Sequence, residues 1–201
     1  MIALVDYGIG NLRSVHKALA AVGGDVIQTS TPEEIRRAEK VVLPGVGAFG
    51  DGMIGLVESD LEVVIAEVVK REVAVLGICL GMQLLFESSE EAPTQPGLGL
   101  LPGSVRRFAS EGLKVPQTGW NQLHPRQKSP LLVGLADGCY AYFNHGYYCE
   151  PQFTDDILAV TDYGLRYASV IGRGRLFGVQ FHPEKSQAVG LQILKNFVEM
   201  R

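Results

Sequence analysis

Val73-Ala74-Val75-Leu76-Gly77-Ile78-Cys79-Leu80-Gly81-Met82-Gln83-Leu84-Leu85-Phe86 decides how this chain is read. Val73 to Leu76 is a short apolar run rich in β-branched residues, the pattern of a parallel strand buried on both faces. Leu80, Leu84, Leu85 and Phe86 have the spacing of a helix's apolar stripe, so the reading places a helix from Leu80 onward. Cys79 falls at the junction, with Gly77 and Gly81 two residues to either side. A strand-to-helix turn lifts such a side chain to the carboxyl end of the sheet. The glycines let the backbone turn sharply and let another group approach it. The free N–H groups at the helix start favour a thiolate there. This is an elbow for a nucleophile, with Cys where many hydrolases carry Ser.

A lone cysteine in an apolar strand is also an ordinary core residue, so the elbow alone leaves both readings open. A second stretch bears on the choice: Leu176-Phe177-Gly178-Val179-Gln180-Phe181-His182-Pro183-Glu184. In an extended segment alternate residues share a face. Val179 and Phe181 then face one way, and Gln180, His182 and Glu184 the other. Pro183 biases His182 toward extended geometry. A carboxylate two residues from an imidazole orients one ring nitrogen and leaves the other to activate a thiol.

Gly77-Ile78-Cys79-Leu80-Gly81-Met82-Gln83 together with Gln180-Phe181-His182-Pro183-Glu184 closely resembles the triad glutamine amidotransferases, which hydrolyse glutamine to glutamate and ammonia. The resemblance implies Cys79 as nucleophile, His182 as base and Glu184 as its orienting carboxylate.

Around these motifs the chain alternates between strand and helix patterns. Ile2 to Val5, Asp25 to Gln28 and Val41 to Leu43 read as strands. Asn11 is placed to cap a helix carrying Leu12, Val15, Leu19 and Val22, which Gly23-Gly24 ends. Thr31-Pro32-Glu33-Glu34 and Ser59 to Glu62 read as capping boxes. The second opens a helix with Leu61, Val64, Ile65 and Val68 on its apolar side. Strands alternating with helices imply an α/β fold: a mostly parallel central sheet flanked by helices. Ligands bind such sheets at the carboxyl ends of the strands. After an acidic, proline-bearing surface loop from Glu87 to Gly97 the strands shorten. They are Val105–Phe108, Tyr140–Tyr148, Leu158–Thr161 and a hairpin from Ala168 to Phe181 turning at Gly172-Arg173-Gly174. An antiparallel or mixed strand extension that returns His182 toward Cys79 is expected. Ser186 to Met200 closes the chain as an amphipathic helix. No linker or repeat divides residues 1–201, so one amidotransferase domain is expected.

Composition narrows the function classes. A formal charge of −4 without a basic block argues against a nucleic-acid surface. No apolar run is long enough to span a bilayer, and the start, Met1-Ile2-Ala3-Leu4-Val5-Asp6, lacks the features of a signal peptide, so a cytoplasmic protein is expected. Cys79, Cys139 and Cys149 give no even disulfide framework, and no CxxC or HxxxH spacing supports a metal site. The glycine turn Asp6-Tyr7-Gly8-Ile9-Gly10-Asn11 lacks the third glycine of a dinucleotide fingerprint.

Further segments extend the resemblance. That glycine turn is similar to the opening of the glutaminase subunit of imidazole glycerol phosphate synthase, and Gly119-Trp120-Asn121 to another segment of it. Gln117 and Thr118 depart from its usual His and Met. Val46 and Gly47, in the loop Pro44 to Gly50, match the family's oxyanion loop, with the N–H of Leu80 as the second donor. Tyr142 to Tyr148 resembles the segment whose backbone holds the glutamine amino-acid group, with Gly146 in place of the usual Ser or Thr. Gln83, Gly146 and Tyr147 are therefore the expected substrate contacts. The resemblance further implies a heterodimer with a (β/α)8-barrel synthase, to which ammonia passes. Asn11, Trp120, Asn121 and Lys185 would lie at that interface. No metal or organic cofactor is called for. Anthranilate-pathway relatives carry His at Met82 and Ser at Lys185, and those of pyridoxal phosphate synthesis lack this Asp-Tyr-Gly opening. They remain alternatives, as does a non-catalytic redox sensor on the same fold.

Overall fold

Ile2, Ala3, Leu4 and Val5 are all buried, yet they serve different layers. Ile2 and Leu4 join a core that includes Leu76, Val179 and Ile193, whereas Ala3 and Val5 join one with Val75, Leu56 and Ile65. A strand apolar on both faces needs cover on both, and that requirement organises the molecule. The computed structural model describes residues 1–109 and 112–200. In chain order the elements are β1 (Ile2–Val5), α1 (Leu12–Ala21), β2 (Val26–Thr29), α2 (Pro32–Arg37), β3 (Lys40–Leu43), α3 (Phe49–Glu58) and α4 (Leu61–Lys70). Next come β4 (Ala74–Ile78), α5 (Leu80–Gln83), β5 (Phe86–Ser89), β6 (Leu101–Arg107) and β7 (Gln117–Pro125). The chain finishes with β8 (Cys139–His145), β9 (Tyr147–Pro151), β10 (Ile157–Asp162), β11 (Arg166–Arg173), β12 (Leu176–Val179) and α6 (Gln187–Glu199).

Among the described residues these strands form one 12-stranded sheet, with the path β2-β1-β3-β4-β12-β11-β10-β7-β8. From β2 to β12 every pairing is parallel. From β12 to β8 every pairing is antiparallel. β5, β6 and β9 form a flange that rejoins the sheet at β11. The expected parallel sheet with a mixed extension is present. Its decisive feature is the last strand, β12, which pairs with β4 in the register Val179↔Ile78. That register ends both strands at one level, so the residues after Val179 emerge beside Cys79.

Several local expectations are corrected. The helix after Cys79 is only the four residues of α5; Phe86 starts β5, and the loop expected from Glu87 to Gly97 thus begins in a strand. Leu84 and Leu85 are buried without a continuing helix, so their spacing mimicked a stripe. β7 was unexpected as a strand. The run Tyr140–Tyr148 is two strands, β8 and β9, broken at Gly146. Helix α3 was also unexpected; it begins inside the loop read from Pro44 to Gly50 and contains Gly50, Gly52 and Gly55. A Cβ at Gly55 would meet the Tyr7 carbonyl at 2.4 Å, so this glycine permits close packing. Asn11 and Thr31 occupy N-cap positions but make no side-chain cap bond. Asp60, in the left-handed region, holds the N-cap position of α4 instead of Ser59, also without a side-chain cap bond.

α6 fixes the chain where it leaves β12. A Cβ at Gly190 would meet the Pro183 carbonyl oxygen at 1.9 Å, and Pro183 lies between His182 and Glu184. Overpacking of this kind costs roughly 1–3 kcal/mol. Gly190→Ala is expected to lower the urea midpoint correspondingly; a midpoint equal to wild type would show that this packing is slack.

Candidate active site

Cys79 has φ 53° and ψ −108°, a conformation L residues rarely adopt and one expected at a nucleophile elbow. The flanking glycines make it attainable. A Cβ at Gly81 would meet the Leu43 carbonyl oxygen at 1.8 Å, and one at Gly77 would meet the backbone of Gly81 and Met82 at 2.7 Å. Cys79 donates its own N–H to the Val179 carbonyl at 2.8 Å, tying the elbow to β12.

His182 leaves β12 extended, at φ −96° and ψ 97°. The strand alternation expected to carry Glu184 does not persist, because Pro183–Lys185 form a 3-10 turn. Glu184 still reaches back: its Oε1 lies 3.0 Å from His182 Nδ1, both side chains being almost fully buried. Glu184 Oε2 has no hydrogen-bond partner among the described residues, so its charge is balanced chiefly by the imidazole. Burial by itself would lower the His182 pKa. Hydrogen bonds to Cys79 and Glu184, reinforced by their negative charge, overcome burial and push it up to about 10. The geometry thus favours a protonated imidazole between a sulfur and a carboxylate.

Burial pushes Cys139 and, more strongly, Cys149 above the ordinary thiol value. All three cysteines are free, but these two are poor thiolates.

Cys79 and His182 open into a cavity of about 240 Å³ that is also lined by Val46, Gly47, Leu80, Gln83, His145, Gly146 and Tyr147. The expected oxyanion and substrate residues are therefore brought together with Cys79. Leu80 is the first helical residue of α5, where an N–H has no partner within the helix. Gly47 has φ 115°, which suits glycine and sets the direction of the loop's peptide groups. A larger groove of about 780 Å³ beside Pro125–Pro130 contains no cysteine, histidine or carboxylate and lies outside this chemistry. Among the described residues no group of three or more His, Cys, Asp and Glu could hold a metal ion. No helix among them is long and apolar enough to cross a membrane.

Four contributors escaped the sequence reading. The Tyr7 hydroxyl donates to the Pro44 carbonyl at 2.5 Å and pins the start of the loop bearing Val46 and Gly47. Glu91 lines the cavity and accepts the Phe49 N–H at 2.8 Å, holding the other end of that loop. It sits in an acidic stretch with no distinguishing signal. Gln180 was placed on the His182 face but given no task, although its Nε2 lies 3.7 Å from Cys79 Sγ. Asn144 completes the rim.

His145 lies in the cavity wall and holds its proton differently from His182. Its Nδ1–H donates to the Tyr147 carbonyl at 2.6 Å, and Nε2 faces the Tyr167 hydroxyl at 3.3 Å. Burial, aided by the charge on His182, lowers its pKa to about 4. It is therefore a neutral positioning group, as a strand histidine without a carboxylate partner should be.

The interface candidates divide. Trp120 is 46% exposed and packs edge-on to Tyr142 at 6.0 Å. Lys185 Nζ lies 5.7 Å from the same Tyr142 ring. Asn11 is exposed. Asn121 is engaged with the chain itself, donating to the Asp162 carbonyl at 2.9 Å and accepting from the Gln122 N–H at 2.8 Å.

The state of His145 has a consequence for stability. Its pKa is near 4 folded and near the ordinary 6.5 unfolded, so between those values the unfolded chain binds the extra proton. This contribution is fully present above the unfolded pKa and is lost as pH falls through the folded one. It is worth on the order of 3 kcal/mol. His145→Asn, which keeps a donor for Tyr147, is expected to flatten the fall of the urea midpoint between about pH 6.5 and 4. Parallel profiles for variant and wild type would contradict the buried neutral imidazole.

Comparison with known proteins accords with this geometry. Residues 3–200 match the family model "Glutamine amidotransferase class-I". The chain is 51% identical over 199 residues to the imidazole glycerol phosphate synthase subunit HisH of Moorella thermoacetica, covering 99% of this chain and 94% of that relative. It is 48% identical over 205 residues to the subunit of the same name from Bacillus subtilis, covering 100% and 96%. Among solved structures, one described as a glutamine amidotransferase superposes with a TM-score of 0.78 at 20% identity, covering 99% of this chain and 98% of the other. PurLQS from Thermotoga maritima superposes with a TM-score of 0.75 at 19% identity, covering 98% and 96%. The structural likenesses speak for the fold, and the sequence matches for descent: the chain belongs to the class I glutamine amidotransferases, among the HisH subunits of imidazole glycerol phosphate synthase.

Proposed function

We propose that this chain is a glutaminase whose triad is Cys79, His182 and Glu184, and that it supplies ammonia for imidazole glycerol phosphate synthesis in the histidine pathway. The observation that carries the reading is the buried imidazole of His182, hydrogen-bonded to both Cys79 and Glu184. In this mechanism the Cys79 sulfur, as thiolate, attacks the side-chain amide carbon of glutamine. The carbonyl π electrons move to oxygen, where the N–H groups of Val46 or Gly47 and of Leu80 receive the charge. His182 passes its proton to the amide nitrogen, the C–N bond breaks, and ammonia leaves a thioester on Cys79. Neutral His182 then takes a proton from water, whose oxygen attacks the thioester. The second tetrahedral intermediate expels the thiolate and yields glutamate. Glu184 keeps Nδ1 of His182 occupied so that Nε2 serves the reaction.

Gln83 and the backbone at Gly146 and Tyr147 are suited to the amino-acid end of glutamine. Glu91, the one carboxylate lining the cavity among the described residues, is suited to its α-ammonium group. With Gly at position 146 this cradle works through backbone groups, without a hydroxyl.

The partner in this reading is a separate (β/α)8-barrel synthase, giving a heterodimer in the cytoplasm. Residues 1–201 act as one amidotransferase domain. Ammonia released into water is protonated and lost as a nucleophile, so a biosynthetic glutaminase should discharge into a partner. Exposed Trp120 and Lys185, with half-buried Tyr142 beside both, offer an aromatic and cationic surface of the kind that anchors an interface, with Asn11 as a further exposed contact. Asn121 would contribute by shaping that surface, since its amide is already engaged.

The reading is tested by Cys79→Ala in the reconstituted complex. Loss of glutamate release and of glutamine-dependent synthesis, with ammonium-dependent synthesis retained, is the expected result. Glutaminase activity persisting in the variant would remove Cys79 from the chemistry.

A further inference from the structure

A hydrogen-bonded chain runs from the glutamine cradle to the nucleophile, and its polarity is fixed at one end. The Tyr147 carbonyl can only accept. It receives the His145 Nδ1–H at 2.6 Å and Gln83 Nε2 at 3.2 Å. The Gln83 group facing it must therefore be the NH2. The same Nε2 lies 3.1 Å from Gln180, so Gln180 must present its oxygen there. Its own NH2 is then turned to Cys79 Sγ, 3.7 Å away. No alternative assignment of the two amides satisfies the carbonyl at the start. Gln180 is fully buried and Gln83 nearly so, and a buried carboxamide is placed only where its bonds are made.

We propose that Gln180 is a second hydrogen-bond donor to the nucleophile, holding the Cys79 sulfur from the side opposite in role to His182, and that Gln83 orients it. His182 exchanges a proton with the sulfur and the leaving nitrogen. Gln180 cannot: its carboxamide N–H stabilises negative charge on sulfur before the attack and again as the thiolate is expelled, without being consumed. After His182 has given its proton to the departing ammonia the sulfur is held in a thioester, and the Gln180 N–H stands ready to receive the charge when the second tetrahedral intermediate expels the thiolate. The cradle also communicates with the sulfur, because Tyr147, Gln83 and Gln180 are links of one chain.

The proposal rests on Cys79 being the nucleophile, and its test is independent of glutamine turnover. The rate of alkylation by iodoacetamide is followed against pH by the mass of the Cys79 peptide, so that Cys139 and Cys149 do not contribute. Gln180→Met removes the donor at similar volume, and Gln180→Glu replaces it with an acceptor. The alkylation midpoint is expected to rise by about one pH unit in Gln180→Met and further in Gln180→Glu. The turnover number should fall roughly tenfold with KM little changed. Gln83→Leu, which frees the Gln180 amide to rotate, should shift the midpoint in the same direction by less. It also serves as the readout if the Gln180 variants do not fold. An unchanged midpoint in every folded variant would overturn the proposal. Glutamine hydrolysis by Cys79→Ala would instead overturn the reading beneath it.

Discussion

The active site depends on one backbone conformation, the positive φ of Cys79. Such a conformation costs roughly 1–3 kcal/mol for a residue with a side chain, and the surroundings enforce it from both sides. β3 and β12 hold β4 in parallel register up to Gly77 and Ile78. The Leu43 carbonyl packs against Gly81 so closely that only glycine fits. Between those restraints the chain must turn at Cys79. The same register delivers His182, since Val179 ends opposite Ile78 and bonds to the Cys79 N–H. Cys79 and His182 are thus placed by one pair of strands.

Two buried imidazoles in this cavity illustrate how partners override burial. Desolvation lowers the pKa of both. For His182 the sulfur and the Glu184 carboxylate reverse the effect and carry it up to about 10. His145 has a carbonyl and a phenol for partners and the His182 charge for a neighbour, so it falls to about 4. The His182 ring is thus held protonated and the His145 ring neutral, bonded to the Tyr147 carbonyl. The difference follows from the sulfur and the carboxylate that His182 has as partners and His145 lacks.

The parallel half was legible because strands buried on both faces write themselves as continuous apolar runs, and Gly-x-Cys-x-Gly marks a sharp turn after one of them. Cys79, His182 and Glu184 were legible as candidates because they sit in short motifs, although Glu184 reaches His182 through a 3-10 turn and not through strand alternation. The antiparallel half was blurred, since β7 carries Trp120, Asn121 and Gln122 on a strand that is only partly buried. Helix α5 was overextended because Leu84 to Phe86 are buried by their turn into β5, a tertiary effect with helical spacing. α3 was hidden by glycines that serve close packing. Gln180 showed its face but not its partner, because Gln83 lies 97 positions away in the chain. Such a contact has no local trace.

If the elbow makes Cys79, alone of three cysteines, a nucleophile toward a glutamine-shaped carbonyl, its selectivity can be read directly. The direct measurement is covalent labelling with a chloroketone analogue of glutamine, in which the sulfur displaces chloride, followed by peptide mass analysis. A single adduct on Cys79, competed by glutamine and nearly absent in His182→Asn, is the expected result. An adduct on Cys139 or Cys149, or labelling of Cys79 that glutamine does not slow, would contradict it.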